Sequence, residues 1–177
     1  MDRPPPHDPA GAYNALADLE GWHSICFADL NFASAKLNAL LAIWRGASHE
    51  SAIPARKDLT PQKLRTHLSD IAIYERLTEL DGHERWRVRV MGAKFTSVMG
   101  SYNGKFFDEV IPAKFLKRWY AAPNATLATR VPLRFVSRSE TAGKGFITGE
   151  YLMAPLVGDD GALNTVLSAA EFGPTFS

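Results

Sequence analysis

The stretch WRVRVMGAKFTSVMG, residues Trp86 to Gly100, decides the fold. Its first half alternates by twos, so Trp86, Val88 and Val90 are expected on one face of a strand and Arg85, Arg87 and Arg89 on the other. Gly92 then offers a bend with no side chain in the way, and AKFTSVM continues as a short apolar helix. A strand that leaves its sheet this way has one face directed at helices and one charged face.

Outward from this stretch the same period recurs. IAIYERL (Ile71 to Leu77) and RWRVRVM (Arg85 to Met91) read as two strands joined in a hairpin through Asp81-Gly82. A helix is expected from Pro112 to about Leu127, where Phe115, Leu116, Trp119 and Tyr120 fall on one side. VPLRFVSRS, FITGEYLMAPLV and ALNTVLSAAEF read as three further strands, the last two joined by GDDG. Upstream, Thr60 can cap and Pro61 can start a short helix to about Leu68. A further helix is expected from about Phe27 to Trp44, with Leu30, Ser34, Leu37, Leu41 and Trp44 as one seam and Gly46 as its stop. The prolines at 4, 5, 6 and 9 read as a poorly ordered leader. The division is therefore a leader over 1–26, a helix and linker over 27–57, and a sheet domain over 58–177. Two strands, helices, then three strands give an α+β antiparallel sheet with helices on one face, plus an N-terminal helix.

The bulk composition narrows the function. At 177 residues and 46% hydrophobic content, the chain can bury one sizeable core. A formal net charge of +1 lacks the basic excess that phosphate-backbone binding needs, so no nucleic-acid partner is expected. The single cysteine, Cys26, forms no internal disulfide, no Cys/His set has metal-ligand spacing, and a cytoplasmic location is expected. The start resembles no signal peptide and no run approaches the ~20 apolar residues of a membrane span, so no membrane insertion is expected.

This element order resembles the PAS domain, a sensory fold in which a five-stranded antiparallel sheet wraps helices inserted between its second and third strands. The likeness runs from about Leu59 to Phe172. RVRVMGAKFTSVMGSYNGKFFDEVIP is similar to the second PAS strand, the helix after it and the glycine turn at Gly104; GEYLMAPLVGDDGALNTVLSAAEF is similar to the last hairpin. The layout is similar to that of bacterial stand-alone PAS proteins with a helical N-terminal extension, with no output domain after Phe172. The resemblance implies a sensory or regulatory protein, without catalysis, that relays a signal through protein contacts and holds a small molecule in its cavity.

The inward set that would line such a cavity is Trp86, Val88, Phe95, Met99, Phe106, Phe115, Trp119, Leu133, Phe135, Tyr151 and Met153, with Phe107 beside it. The same residues also describe a packed core, and both readings stay open. Among cofactors of PAS relatives, a cysteine-linked flavin or chromophore is disfavoured because Cys26 lies ahead of the recognisable domain. Haem is disfavoured because the long helix has no histidine; His7, His23, His49, His67 and His83 lie elsewhere and read as solvated or capping, and Tyr120 and Met99 read as packing. TAGKG (Thr141 to Gly145) reads as a hairpin connection, not a phosphate loop. Glu150 and Glu171 are expected on one face of adjacent strands, sharing that face with Arg134 and Arg138. Cross-strand pairing accounts for them, while a small cone-shaped α+β enzyme of the isomerase or dehydratase kind would use one as a base. A ligand-free interaction domain is the third reading. The seam of Leu30, Leu37, Leu41 and Trp44 is expected either to cap the outer sheet face or to pair with a second subunit as a homodimer.

Overall fold

The computed structural model describes residues 8–48, 52–141 and 145–173. In chain order the elements are α1 (Pro9–Glu20), β1 (Ser24–Phe27), α2 (Ala35–Ala47), a 3-10 turn (Arg56–Asp58), β2 (Ile71–Thr78), β3 (Glu84–Met91), α3 (Ala93–Met99), α4 (Phe107–Val110), α5 (Ala113–Thr129), β4 (Leu133–Thr141), β5 (Gly145–Val157) and β6 (Leu163–Gly173). All strand pairings are antiparallel and the order is β1-β4-β5-β6-β2-β3. The expected five strands are all present, and β1 adds a sixth beside β4.

That sixth strand corrects the leader. The prolines suggested disorder up to residue 26, yet Pro9 occupies the first turn of α1 behind Asp8, and Gly21 closes the helix in the left-handed region at φ 66°. Proline at the start and glycine just past the end are ordinary helix punctuation. Pro4, Pro5, Pro6, His7, His49 and the Ala142 to Lys144 part of TAGKG lie outside the described residues. The segment after Thr60 forms successive turns in place of a helix, with the Thr60 hydroxyl still accepting the Lys63 N–H at 3.4 Å.

The sheet separates two apolar layers. On the inner side α3, α4 and α5 pack against Tyr74, Trp86, Val88, Val166 and Ala170. On the outer side Leu37, Leu40, Leu41 and Trp44 of α2 pack against Ile71, Ile73, Leu152, Ala154, Leu156, Leu167 and Ala169. The α2 seam therefore caps its own sheet. The helix begins later than the spacing suggested, at Ser34, whose hydroxyl accepts the Leu37 N–H; Leu30 packs on the same cluster from the preceding loop. The solvent-facing side of α2 carries Lys36, Asn38, Ala39, Ala42 and Arg45.

A bulge changes the alternation of β3. Tyr74 pairs with Val88 while Ile73 pairs with Val90, so Arg89 is the extra residue. Beyond it the faces swap: Val90 lies opposite Ile73 and is 38% exposed, and Met91 joins Ala72 in the inner layer. The arginines are paired rather than open. Arg87 and Arg89 both bond Glu75, Arg89 also reaches Asp159 at 2.7 Å, and Arg85 bonds Asp108 at 2.6 Å. The Arg85 guanidinium beside Asp108 holds that carboxyl below the usual carboxylate range.

Both sheet edges are bracketed by an asparagine amide. On β1, Asn14 accepts the Cys26 N–H at 2.7 Å and donates to the Cys26 carbonyl at 2.9 Å. On β3, Asn103 does the same to Met91 at 2.7 and 3.4 Å, while Val88 exchanges backbone hydrogen bonds with Gly104 and Lys105. A side-chain amide repeats the donor and acceptor of a strand, so the Cys26 and Met91 backbone groups at these edges are already satisfied.

Candidate functional site

A cavity of about 60 Å³ lies between the inner sheet face and the helices. Its walls come from six elements: Tyr13 of α1, Phe95 and Met99 of α3, Arg118, Trp119 and Ala122 of α5, Tyr74 of β2, Phe135 and Ser137 of β4, and Tyr151 and Met153 of β5. Of the residues expected here, Phe95, Met99, Trp119, Phe135, Tyr151 and Met153 come together. Trp86, Val88, Phe106, Phe115 and Leu133 do not line the cavity.

Phe107 explains the division. Fully buried, it stacks with Trp86 at 6.3 Å and meets Tyr74, Trp119 and Tyr120 edge-on at 5.1, 5.2 and 5.9 Å. That ring fills the space under β2 and β3, and Trp86 and Val88 become closed core at 0% exposure. Trp86 completes its packing by donating its indole N–H to Asn124 at 3.0 Å. Phe106 turns toward Arg85, whose guanidinium sits 3.8 Å from the ring centre. Phe115 lies beneath Lys114 and Arg118, and Leu133 is buried against the α1 side. The open space is thus displaced toward β4, β5 and α1.

Three local features set the walls. Gly92 starts α3 where an added Cβ would lie 2.2 Å from the Leu68 carbonyl oxygen, so the chain turns from β3 into α3 pressed against the preceding backbone. Gly149 leaves room for Tyr151, whose hydroxyl would lie 2.8 Å from a Cβ there; the ring lies back along β5 instead of standing out from it. The Asn14 bracket holds α1 on β1 and carries Tyr13 over Phe135, edge-on at 5.0 Å.

Polar atoms gather on one part of the wall. The Tyr13 hydroxyl is 2.8 Å from Ser24 Oγ, which is 2.5 Å from Ser137 Oγ. Burial pushes the Tyr13 and Tyr74 phenols up, and pushes Tyr151 up to about 12, the last eased by the Arg118 charge. Tyr151 is half-buried and lines the cavity. All three phenols therefore stay neutral and able to donate at ordinary pH. Cys26 packs among Tyr13, Ala122 and Phe135 without reaching the cavity, and burial pushes its thiol up to about 12, away from the reactive thiolate.

Neither glutamate faces this space. Glu150 and Glu171 are direct cross-strand partners on the outer face. Glu150 is fully buried, bonded to Arg134 Nε at 2.7 Å and accepting the backbone N–H groups of Ala33 and Ser34 at 3.0 and 3.1 Å. Glu171 bonds Lys94 at 3.1 Å. Cross-strand pairing with Arg134, as their shared face suggested, accounts for Glu150, whereas Glu171 pairs with Lys94 of α3. Tyr13 was missed because α1 was read as leader; Asp8-Pro9 ahead and Gly21 behind were the available signal. Arg118 sits one position before Trp119 and carried no signal of its own.

A family model for the PAS domain matches residues 32–170. The chain belongs to the PAS family. The match begins at Phe32, so the PAS unit takes in α2 and the outer layer as well as the sheet and inner helices. PAS domains serve sensing and regulation, and typically do so without catalysis. Among solved structures, an RNA-binding light-oxygen-voltage receptor aligns at a TM-score of 0.45 with 13% identity, covering 85% of this chain and 38% of the receptor's. The chain thus spans well under half of that receptor. No curated protein matches the chain. Among the described residues, no helix is long and apolar enough to cross a membrane.

Proposed function

We propose that this PAS protein relays a signal through protein contacts, controlled by a small ligand of mixed polarity held between α3, α5, β4 and β5. The cavity carries the reading. Phe95, Met99, Trp119 and Met153 give it apolar walls, and Tyr13, Tyr151 and Arg118 give it donors. Its volume is far below the roughly 300–1,000 Å³ of sites for drug-sized molecules, which favours a small ligand over a flavin or haem.

The route from cavity to surface is a charge cluster. Lys94, one residue before Phe95 on α3, bonds Asp70 at 3.1 Å and Glu171 at 3.1 Å, and Asp70 also faces Lys36 of α2 at 3.7 Å. Burial raises the Asp70 carboxyl, but bonds from Lys94 and Ser69 and the charges of Lys94 and Lys36 outweigh it and hold the group below its ordinary value. Movement of α3 on ligand binding is felt at α2 through these groups. A population shift follows only if the ligand binds the two arrangements with different affinity. With the leucine seam inside, a protein partner or a second copy would meet the exposed side of α2, around Lys36, Ala39, Ala42 and Arg45.

Native and denatured masses of freshly purified protein test the cavity. Extra mass in the native protein, absent from an Ala122→Leu variant that fills the α5 wall, is the expected result. A native mass equal to the bare chain would count against the ligand and favour a contact domain with a packed interior.

A further inference from the structure

We infer that Asn103 is a modification site: with Gly104 it forms a deamidating pair whose conversion to aspartate and isoaspartate is held back by its own hydrogen bonds to the edge of β3. The pair does not line the cavity, and no ligand enters the argument.

The sequence supplies the reactive pair. Asn103 is the only asparagine followed by glycine. Deamidation joins the backbone nitrogen of the following residue to the asparagine side-chain carbon, and a residue without Cβ obstructs that approach least. The two residues occupy the centre of a turn closed by the Lys105 N–H donating to the Tyr102 carbonyl at 3.0 Å, with Gly104 at φ 77°. Both are exposed, so water reaches them.

The fold holds the two reacting groups on the strand and away from each other. Asn103 Oδ1 accepts the Met91 N–H at 2.7 Å, and Nδ2 donates to the Met91 carbonyl at 3.4 Å. The Gly104 N–H, whose proton must leave before the nitrogen can attack, donates to the Val88 carbonyl at 2.7 Å, and the Lys105 carbonyl accepts the Val88 N–H at 2.8 Å. Ring closure therefore waits for this turn to lift from β3, a local opening that needs less free energy than global unfolding.

Once the turn is open, water is the only other reactant. The Gly104 nitrogen gives its proton to solvent and bonds to Asn103 Cγ. The Cγ–Nδ2 bond breaks, and the side-chain nitrogen takes up a proton and departs as ammonia, leaving a cyclic imide. Water then opens the ring on either side of the nitrogen. Breaking the new bond gives aspartate; breaking the original peptide bond reroutes the main chain through Cβ and Cγ, which is isoaspartate. Either product lacks the Nδ2 donor, so the Met91 carbonyl loses its partner, and isoaspartate also lengthens the main chain before Gly104. The edge is thereby loosened at Met91, just before Gly92, where β3 passes into α3.

The test follows the full chain at mildly alkaline pH by peptide mapping and mass spectrometry, both folded and in guanidinium chloride. In denaturant Asn103 is expected to convert ahead of every other asparagine. Folded, its conversion should be at least about tenfold slower, because the hydrogen bonds to Met91 and Val88 must open first. Amide exchange reads the consequence: in Asn103→Asp the Gly104 and Met91 amides should exchange faster relative to those of β6, a ratio that separates local loosening from global destabilisation. No lead of Asn103 over the other asparagines in denaturant overturns the site. Equal conversion of folded and unfolded protein overturns its protection by β3, and an unchanged exchange ratio in Asn103→Asp overturns the loosening of the edge.

Discussion

Glu150→Ala is expected to lower the unfolding free energy by about 3–5 kcal/mol, a large share of the ~5–15 kcal/mol that holds a domain folded. The carboxylate is fully buried and does three things at once. It neutralises Arg134, itself 5% exposed, and it accepts the N–H groups of Ala33 and Ser34 at the start of α2. Truncation leaves an uncompensated guanidinium and two orphaned donors between α2 and the sheet. The hydrogen bond from Arg134 Nε to Glu150 and the Phe27 ring 4.7 Å from the guanidinium show how fully the pair is enclosed. A double variant, Glu150→Leu with Arg134→Met, removes both charges and should recover most of the loss, because the cost lies in breaking the pair rather than lacking it. Urea denaturation measures both. A loss under about 1 kcal/mol for the single variant, the value of an exposed pair, would show that water reaches the site.

Gly92→Ala is expected to cost about 3 kcal/mol, at the upper end of overpacking effects. The residue has φ −70°, which alanine adopts freely, so the whole effect is collision with the Leu68 and Ser69 carbonyl oxygens at 2.2 and 2.5 Å. These are backbone atoms held in place by the Gly92 N–H to Ile71 and the Lys94 N–H to Ser69 hydrogen bonds, at 2.8 and 2.9 Å. Relief requires α3 to move, and with it Phe95 and Met99. Gly46→Ala is the control: its Cβ meets nothing within 4 Å inside α2, and the change should stabilise by about 0.5–1 kcal/mol. Thermal unfolding of the two variants reads the contrast; equal melting temperatures would mean that Gly92 is not compressed.

The sheet was legible because its signals are local. Alternation in β2 and β3, Asp81-Gly82 between them and the GDDG turn before β6 each depend on neighbours in sequence, and the strand pairings follow. The register does not follow from them: it makes Glu150 and Glu171 direct partners and shifts at Ile73/Tyr74 and Leu156/Val157. The bulge at Arg89 was not legible, since it is settled by how β3 pairs with β2; alternation alone therefore sent Val90 inward and Met91 outward. The cavity was half legible for a similar reason. Parity assigns a residue to a face, and it placed Trp86, Val88, Tyr151 and Met153 correctly on the inner one. Which part of that face stays open depends on where the Phe107 ring settles among Tyr74, Trp86 and Trp119, a packing outcome between elements distant in sequence. Glu150 shows the limit of charge patterning as well: pairing with Arg134 was legible, but its bonds to the α2 start depend on a loop more than a hundred residues away.

Occupation of the inner cavity is predicted to be felt on the outer face. Hydrogen exchange compares protein as purified with protein stripped of ligand by unfolding and refolding. Faster exchange on stripping is predicted in α3 and α5 and also in α2, across the sheet and beyond the Lys94, Asp70 and Lys36 cluster. Identical exchange in the two samples, or a difference that ends at α3 and α5 with α2 unchanged, would contradict the account.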